Sequence, residues 1–317
     1  MQKDERDVFF FDVVSETKSR SYKGLAPFPH EKLARTVFKF FSNKTAHVVN
    51  SKKQVFYIAD MTVTASRCEM LIGFADPEAA DPTFTDWLKG ARRVENKVGD
   101  EGLEHTAHIV WDYGNAKNSG PCPFLLESAP GVSASRVVVF LNKMFRAYSK
   151  VFKDFWVDDP VGKKDAAGNF LKVKAYPSIE LLGHPSSEFL KDLKNGELQE
   201  VELYTQKKKG ATWDAAGRII EERSAVILKP NPAKALGKAK ALLDSVLPGK
   251  SKDFEFARIK FKTDSEVNRT VSVMSKNYGL LSTALYVRKE RLTGLGNLPT
   301  AFARINPVII GLMRKLV

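Results

Sequence analysis

The sequence predicts an α+β fold in two lobes, with antiparallel sheets and helices packed on them. Short apolar segments of strand length, bounded by polar turn residues, recur through both halves. Between them, longer segments space their apolar residues at helical intervals. An Asp158-Asp159-Pro160 breaker then divides the chain into an N-terminal lobe, 1–157, and a basic C-terminal lobe, 158–317, which closes on an amphipathic helix. With 317 residues, 43% of them hydrophobic, the chain can bury its cores without disulfides or metals.

Residues 8–14 form an apolar run suited to a buried central strand, followed by a loop rich in Ser, Gly and Pro as far as Pro29. Residues 30–41 place Leu33, Val37, Phe40 and Phe41 on one helical face and Lys32, Arg35 and Lys39 elsewhere, the pattern of an amphipathic helix. Residues 47–50, 54–61 and 68–75 are expected as strands of a meander. Residues 83–90 are expected as a helical turn, and 92–102, charged and poor in apolar residues, as a mobile surface loop. Strands at 106–113 and 124–127 lead into a helix over 133–150, which Ser133 or Ser135 can cap.

The second lobe carries one turn word twice, Asp-Ala-Ala-Gly at 165–168 and at 214–217. Asp first and Gly after two central residues suit a type I turn followed by a left-handed residue, so each copy marks a β-hairpin. Strands at 200–206, 219–229 and 254–262 are expected to share one antiparallel sheet. The helix between the last two, 232–247, turns Leu236, Leu243 and Val246 inward and leaves Lys234, Lys238 and Lys240 to solvent. In the closing segment, 300–316, Ile305, Val308, Ile309, Leu312, Met313 and Leu316 form an apolar stripe. Such a stripe packs on its own lobe, joins two chains in a homodimer or lies on a membrane surface.

Charge points to the partner. The chain carries 50 Lys and Arg against 37 Asp and Glu, a net +13 with a pI near 9.5. Positions 1–150 hold 21 basic and 18 acidic residues, and positions 151–317 hold 29 and 19. A field this lopsided attracts polyanions, whether nucleic acid or an anionic lipid surface. Its centre is 229–291, with fourteen basic and six acidic residues. There Arg258, Lys260 and Lys262 alternate along a strand, so they project from one face while Ile259 and Phe261 project from the other. A wholly cationic strand face repels itself unless an anion is present. Lys207, Lys208 and Lys209 beside a hairpin, Lys229, the helical Lys234, Lys238 and Lys240, and Arg288, Lys289 and Arg291 after Tyr286 would extend this surface, giving thirteen candidate nucleic-acid-binding residues. Scattered long cations suit phosphate neutralisation, and a solvated charged face is the competing reading. Tyr204 and Trp213 flank the triple lysine, and Tyr278 and Tyr286 flank an apolar stretch. Rings in strands usually belong to cores, so base stacking on single strands is a poorer fit than double-stranded DNA held through its backbone.

Other classes find little support. The longest apolar runs, 137–141 and 308–312, fall far short of the roughly 20 residues that span a bilayer. Asp4, Glu5, Arg6 and Asp7 do not resemble the basic start of a signal peptide, so a cytoplasmic protein is expected, with Cys68 and Cys122 as reduced core thiols. His105 and His108 would point to opposite faces of a strand, and no phosphate-loop, dinucleotide or nucleophile-elbow motif occurs. No cofactor, metal or catalytic residue is therefore expected. A metal-dependent nuclease is the alternative, because Glu200 and Glu202 share one strand face near Lys207.

The strand 106–111, Phe124-Leu125-Leu126-Glu127, Gly131, and the helix opening with Ser133 and Ser135 and continuing through Phe140-Leu141-Asn142 follow one another in a particular layout. Val226-Ile227-Leu228-Lys229-Pro230, a lysine-bearing helix and the strand 254–261 continue it. Over most of the chain this layout resembles the RexA family of phage-exclusion proteins. The resemblance implies a two-lobed α+β dimer that binds DNA with little sequence preference and acts in prophage-encoded defence, in some cases by signalling to a membrane partner. It carries over no catalytic motif and no individual DNA-contacting position.

Overall fold

The computed structural model of the chain describes residues 3–44, 47–50, 53–116, 119–206, 223–231, 238–251, 253–275, 279–281 and 286–317. The elements run β1 (Arg6–Ser19), α1 (His30–Ser42), β2 (His47–Val49), β3 (Val55–Val63), β4 (Arg67–Asp76), β5 (Thr83–Asp86), β6 (Ala91–Val94), β7 (Leu103–Asp112), β8 (Cys122–Glu127) and α2 (Ala134–Val151). They continue with β9 (Val157–Asp158), β10 (Lys172–Val173), β11 (Ala175–Gly183), α3 (Ser187–Asn195), β12 (Glu197–Gln206), β13 (Arg223–Leu228), α4 (Ala239–Lys250), β14 (Phe256–Lys262), β15 (Asn268–Met274), β16 (Lys289–Leu292) and α5 (Pro307–Arg314). The class is α+β, with helices packed on antiparallel sheets. Among the described residues no helix is long and apolar enough to cross a membrane.

The chain divides into two compact units, but not at the Asp-Asp-Pro breaker. The first comprises Met1–Leu181 together with Glu290–Val317, and the second is Leu182–Lys289. A boundary at 157/158 thus falls inside the first unit, and the terminal helix belongs to that unit as well. The reason lies in what the apolar stripe covers. Ile309, Ile310 and Met313 of α5 are buried with Leu292 against Val8 and Phe10 of β1, Val110 of β7 and Leu125 of β8. Ile309 and Met313 have no exposed surface left, so this part of the stripe packs on its own chain, while Val308 stays 57% exposed.

The first unit is built on one sheet in the order β11-β1-β8-β7-β4-β3-β2, with β16 paired to β1. The expected meander is present as β2, β3, β4, β7 and β8, all antiparallel. Helices cover both faces. Phe140 of α2 packs on Phe56, while His30 of α1 meets Trp111 edge-on. The alternate residues of β7, Thr106, His108 and Val110, face α5 and the segment before it. Covering both faces explains why β4 is buried almost throughout and β7 from Thr106 onward. Gly131 has φ +76°, and a Cβ there would come within 2.1 Å of the Phe74 ring. Only glycine meets both demands. Cys68 and Cys122 are free, buried thiols.

The segment before α5 is tied down by polar atoms of the sheet. Thr106 Oγ1 accepts from Phe302 N at 2.9 Å, Asp60 Oδ2 from Ile305 N at 2.9 Å and His108 Nε2 from Asn306 N at 2.9 Å. The Asn306 side chain then caps α5 by accepting from Val308 N and Ile309 N. His108 Nδ1 donates to Glu127 Oε2 at 2.6 Å, and the other carboxylate oxygen of Glu127 lies 2.9 Å from Arg6 Nε. Arg6 also donates to Pro299 O at 2.9 Å. The side chains of Glu127 and His108 are fully buried, and that of Arg6 nearly so.

His30, the first residue of α1, is also buried and donates through Nε2 to Gly120 O at 2.8 Å. Burial pushes its imidazole pKa down, opposed by the backbone hydrogen bonds of Gly120 and Ser119. The unfolded chain therefore takes up a proton on this ring more readily than the folded one. The stability due to a neutral His30 is complete above about pH 6.5 and is lost as pH falls through the lowered folded value. Thermal unfolding from pH 7 to pH 5 should show a falling midpoint, and His30→Asn should flatten that fall. An equal fall in both proteins would mean that the ring contributes nothing to the pH dependence.

Two expectations for the middle of the chain change. Residues 83–90 are not a helical turn, and 92–102 is not all loop: β5 and β6 form a hairpin. Its turn has Asp86 Oδ1 accepting from Leu88 N and Lys89 N, and Gly90 at φ +66°. This is the turn chemistry read elsewhere in Asp-Ala-Ala-Gly. At 165–168 that word does make a hairpin tip, with Gly168 at φ +85° and Asp165 bonded to Asn169. The copy at 214–217 lies outside the described residues.

The second unit runs α3, β12, β13, α4, β14, β15, with its sheet in the order β13-β12-β14-β15. Both β13 and β14 are antiparallel to β12, so they run parallel to one another with β12 between them. Phe189 of α3 packs on Phe261 and Tyr286, and Leu243 and Leu247 of α4 are buried. The described part of the lysine-bearing helix begins at Ala239, and residues 232–237 lie outside the described set. Helix α3, unread in the sequence, is capped by Ser186, whose Oγ accepts from Phe189 N.

Candidate nucleic-acid interface

The alternation in β14 is realised as a two-faced strand. Ala257, Ile259 and Phe261 are wholly buried, while Arg258, Lys260 and Lys262 project from the opposite face, 35–45% exposed. That face is not the wholly cationic one expected from the strand alone. Its neighbour β12 is antiparallel and in register, with Glu202 opposite Arg258 and Glu200 opposite Lys260. Arg258 Nη1 donates to Glu202 Oε2 at 2.9 Å, and Lys260 Nζ to Glu200 Oε1 at 2.7 Å. Lys229, just beyond β13, approaches Glu200 at 3.8 Å, and Lys262 pairs with Glu266 at 3.2 Å. The anion that the cationic strand needs is supplied from within the sheet. Cross-strand pairs of opposite charge are a stabilising unit of antiparallel sheets.

The two charge layers differ in depth. Glu200 and Glu202 are 17% and 16% exposed, whereas Lys229 is 71% exposed and Arg258 and Lys260 are 40% and 45%. Solvent meets cations first, with carboxylates beneath them. The hydrogen bond from Lys260 holds the Glu200 carboxyl below its usual range, with the nearby Lys229 charge adding to the effect, so it is ionised at neutral pH.

The other candidates do not all join this face. Lys238 and Lys240 flank the start of α4, where Lys238 Nζ donates to Asn195 O at 3.2 Å and Lys240 pairs with Asp244 at 2.6 Å. Arg291 lies in the first unit, paired with Asp7 at 2.9 Å and Glu5 at 3.1 Å. The apolar packing of its neighbour Leu292 in the first unit's core holds it there. Arg288 and Lys289 are exposed at the end of the second unit. Lys207, Lys208, Lys209 and Lys234, with Trp213 and Tyr278, lie outside the described residues. Of the remaining rings, Tyr204 is buried and stacked on Phe256 at 5.3 Å, and Tyr286 is 1% exposed. Neither offers a face to a base.

Glu200 and Glu202 are engaged by cations and not by each other. Among the described residues no group of three or more His, Cys, Asp or Glu is placed to hold a metal ion. One exposed feature escaped the sequence reading, the pair Trp87 and Leu88 at the β5–β6 turn, 81% and 77% exposed. The signal was present in Asp86 and Gly90, which frame the turn.

Comparison with protein-family models, with curated proteins and with solved structures finds no match to this chain.

Proposed function

We propose that the protein binds duplex DNA with little sequence preference and without catalysing a reaction on it, in a phage-exclusion or antiphage role of the kind that the RexA resemblance implies. The observation that carries this reading is the layering of the open β12–β14 face, whose outermost charges are Lys229, Arg258, Lys260 and Lys262. Long cations held in place by carboxylates below can turn to phosphates without a search through many rotamers, and they carry no base readout. The burial of Tyr204 and Tyr286 favours backbone contact over base stacking.

Salt-dependent binding to double- and single-stranded DNA and RNA of equal length tests the proposal. Neutralising about five phosphates of B-form DNA gives a log–log slope near −4.5. That slope, similar for unrelated sequences and largest for duplex DNA, is the expected result. A slope near zero, or no binding at low salt, would overturn it.

A further inference from the structure

The β5–β6 ribbon is the least buried structured part of the first unit, with all eight of its strand residues exposed. Its tip carries Trp87 and Leu88 side by side, and Phe84, Val94 and Val98 are each more than half exposed. Single exposed apolar residues are ordinary, but an adjacent Trp and Leu left almost wholly in water at a ribbon tip mark an interaction surface. An isolated two-stranded ribbon is also marginal in water, so one with its apolar side chains uncovered gains by being covered.

Charge narrows the choice of partner. Residues 81–101 hold four Lys and Arg against five Asp and Glu, and Asp86, Glu95 and Asp81 pair with Lys89, Arg93 and Lys97. A ribbon so nearly neutral has no field to draw it to a polyanion or an anionic bilayer. Its partner is apolar where the tip lands, with at most a weakly basic rim.

The same unit contains such a place. A groove of about 180 Å³ is walled by Val48, Phe56, Val139 and Phe140, with Arg136 and Lys143 at its edge. A cavity of roughly 150 Å³ accepts a benzene ring, so this one has room for an aromatic side chain. Val139 is itself 55% exposed, and among the described residues no carboxylate pairs with Arg136 or Lys143. Ribbon and groove also lie at one end of the sheet. Phe56 is opposite Val48 on one side and Phe74 on the other, and two residues beyond Phe74, Asp76 is opposite Leu103, where the ribbon leaves the sheet.

We propose that two copies of the chain form a symmetric dimer by exchanging ribbons, each Trp87–Leu88 tip seated in the Phe56–Val139 groove of the other, with Asp86 against Arg136 and Lys143. A two-fold axis beside that end of the sheet brings tip to groove twice, an isologous contact that closes on itself. This inference is independent of nucleic-acid binding.

Light scattering on the full chain at tens of micromolar tests it, with Trp87→Ser as the tip variant and Val139→Glu as the groove variant. Both positions are exposed, so far-UV circular dichroism should match the parent. The parent should be a dimer and each variant a monomer. An equimolar mixture of the two variants should regain dimers, since a mixed pair keeps one intact tip in one intact groove. A monomeric parent, or a dimer that both substitutions leave unchanged, would overturn the proposal. So would a Trp87→Ser variant that remains dimeric but loses binding to DNA or to anionic vesicles, since the tip would then serve that partner.

Discussion

Replacing Glu200 and Glu202 together by Gln is expected to tighten binding to duplex DNA and to steepen its salt dependence. In the parent protein each carboxylate engages a cation of the open face, Lys260 and Lys229 for Glu200 and Arg258 for Glu202. A phosphate must compete with these internal partners, and the carboxylates repel it. With both neutralised, Arg258 and Lys260 are free to meet phosphates. Each added contact steepens the log–log slope by about 0.9, so the pair should change it by about 1.8. The converse variant, with Arg258, Lys260 and Lys262 replaced by Gln, should weaken binding to unrelated sequences alike, because phosphates carry no base identity. It leaves Ile259 and Phe261 in place, so the sheet should persist. The same double substitution separates binding from metal-dependent cleavage. A nuclease that used Glu200 and Glu202 would lose activity without gaining affinity. Unchanged affinity and slope in both variants would show the face to be merely solvated and would place any DNA elsewhere.

The largest loss of stability is expected from Glu127→Ala. Glu127 is fully buried and holds Arg6 on one oxygen and His108, through both its ring and its backbone N–H, on the other. Removing the carboxylate leaves the Arg6 guanidinium in the core without its counter-charge, a change that typically costs about 3–5 kcal/mol. Its consequences extend along the chain. Glu127 accepts a hydrogen bond from His108 Nδ1–H, which leaves Nε2 as the acceptor for the Asn306 N–H, and Asn306 in turn caps α5. Without Glu127 the ring loses the partner that fixes its tautomer, and the segment before α5 loses an anchor. Urea unfolding should show the drop in midpoint, and limited proteolysis should cut residues 299–306 faster than in the parent. Arg6→Met combined with Glu127→Leu removes both charges and should recover much of the loss. A double variant as unstable as Glu127→Ala would mean that the charge left behind is not the cause.

Local features were legible wherever their cause was local. The helix over 133–150 was readable from its Ser133 cap, and the structure buries Val137, Phe140, Leu141 and Met144 along one side of it. Asp-Ala-Ala-Gly at 165–168 announced its turn because glycine alone adopts the left-handed conformation there without strain. In β14 the alternation by itself sorted Ile259 and Phe261 from Arg258, Lys260 and Lys262. The β5–β6 hairpin was misread because its strands are exposed on both sides, which erases the period-two pattern that marks a half-buried strand.

What only the tertiary structure decided depends on residues far apart in the chain. Glu200 and Lys260 are 60 residues apart, and nothing near either one states that they lie opposite each other. That register follows from packing Val201, Leu203, Ile259 and Phe261 into one core, and a shift of a single residue would turn each strand's charges inward. The same holds for α5. Its apolar stripe is plain in the sequence, but several apolar surfaces could cover it. The one that does lies in β1, β7 and β8, and it brings the C-terminal segment back to the first unit because burying Ile309, Ile310 and Met313 there removes them from water.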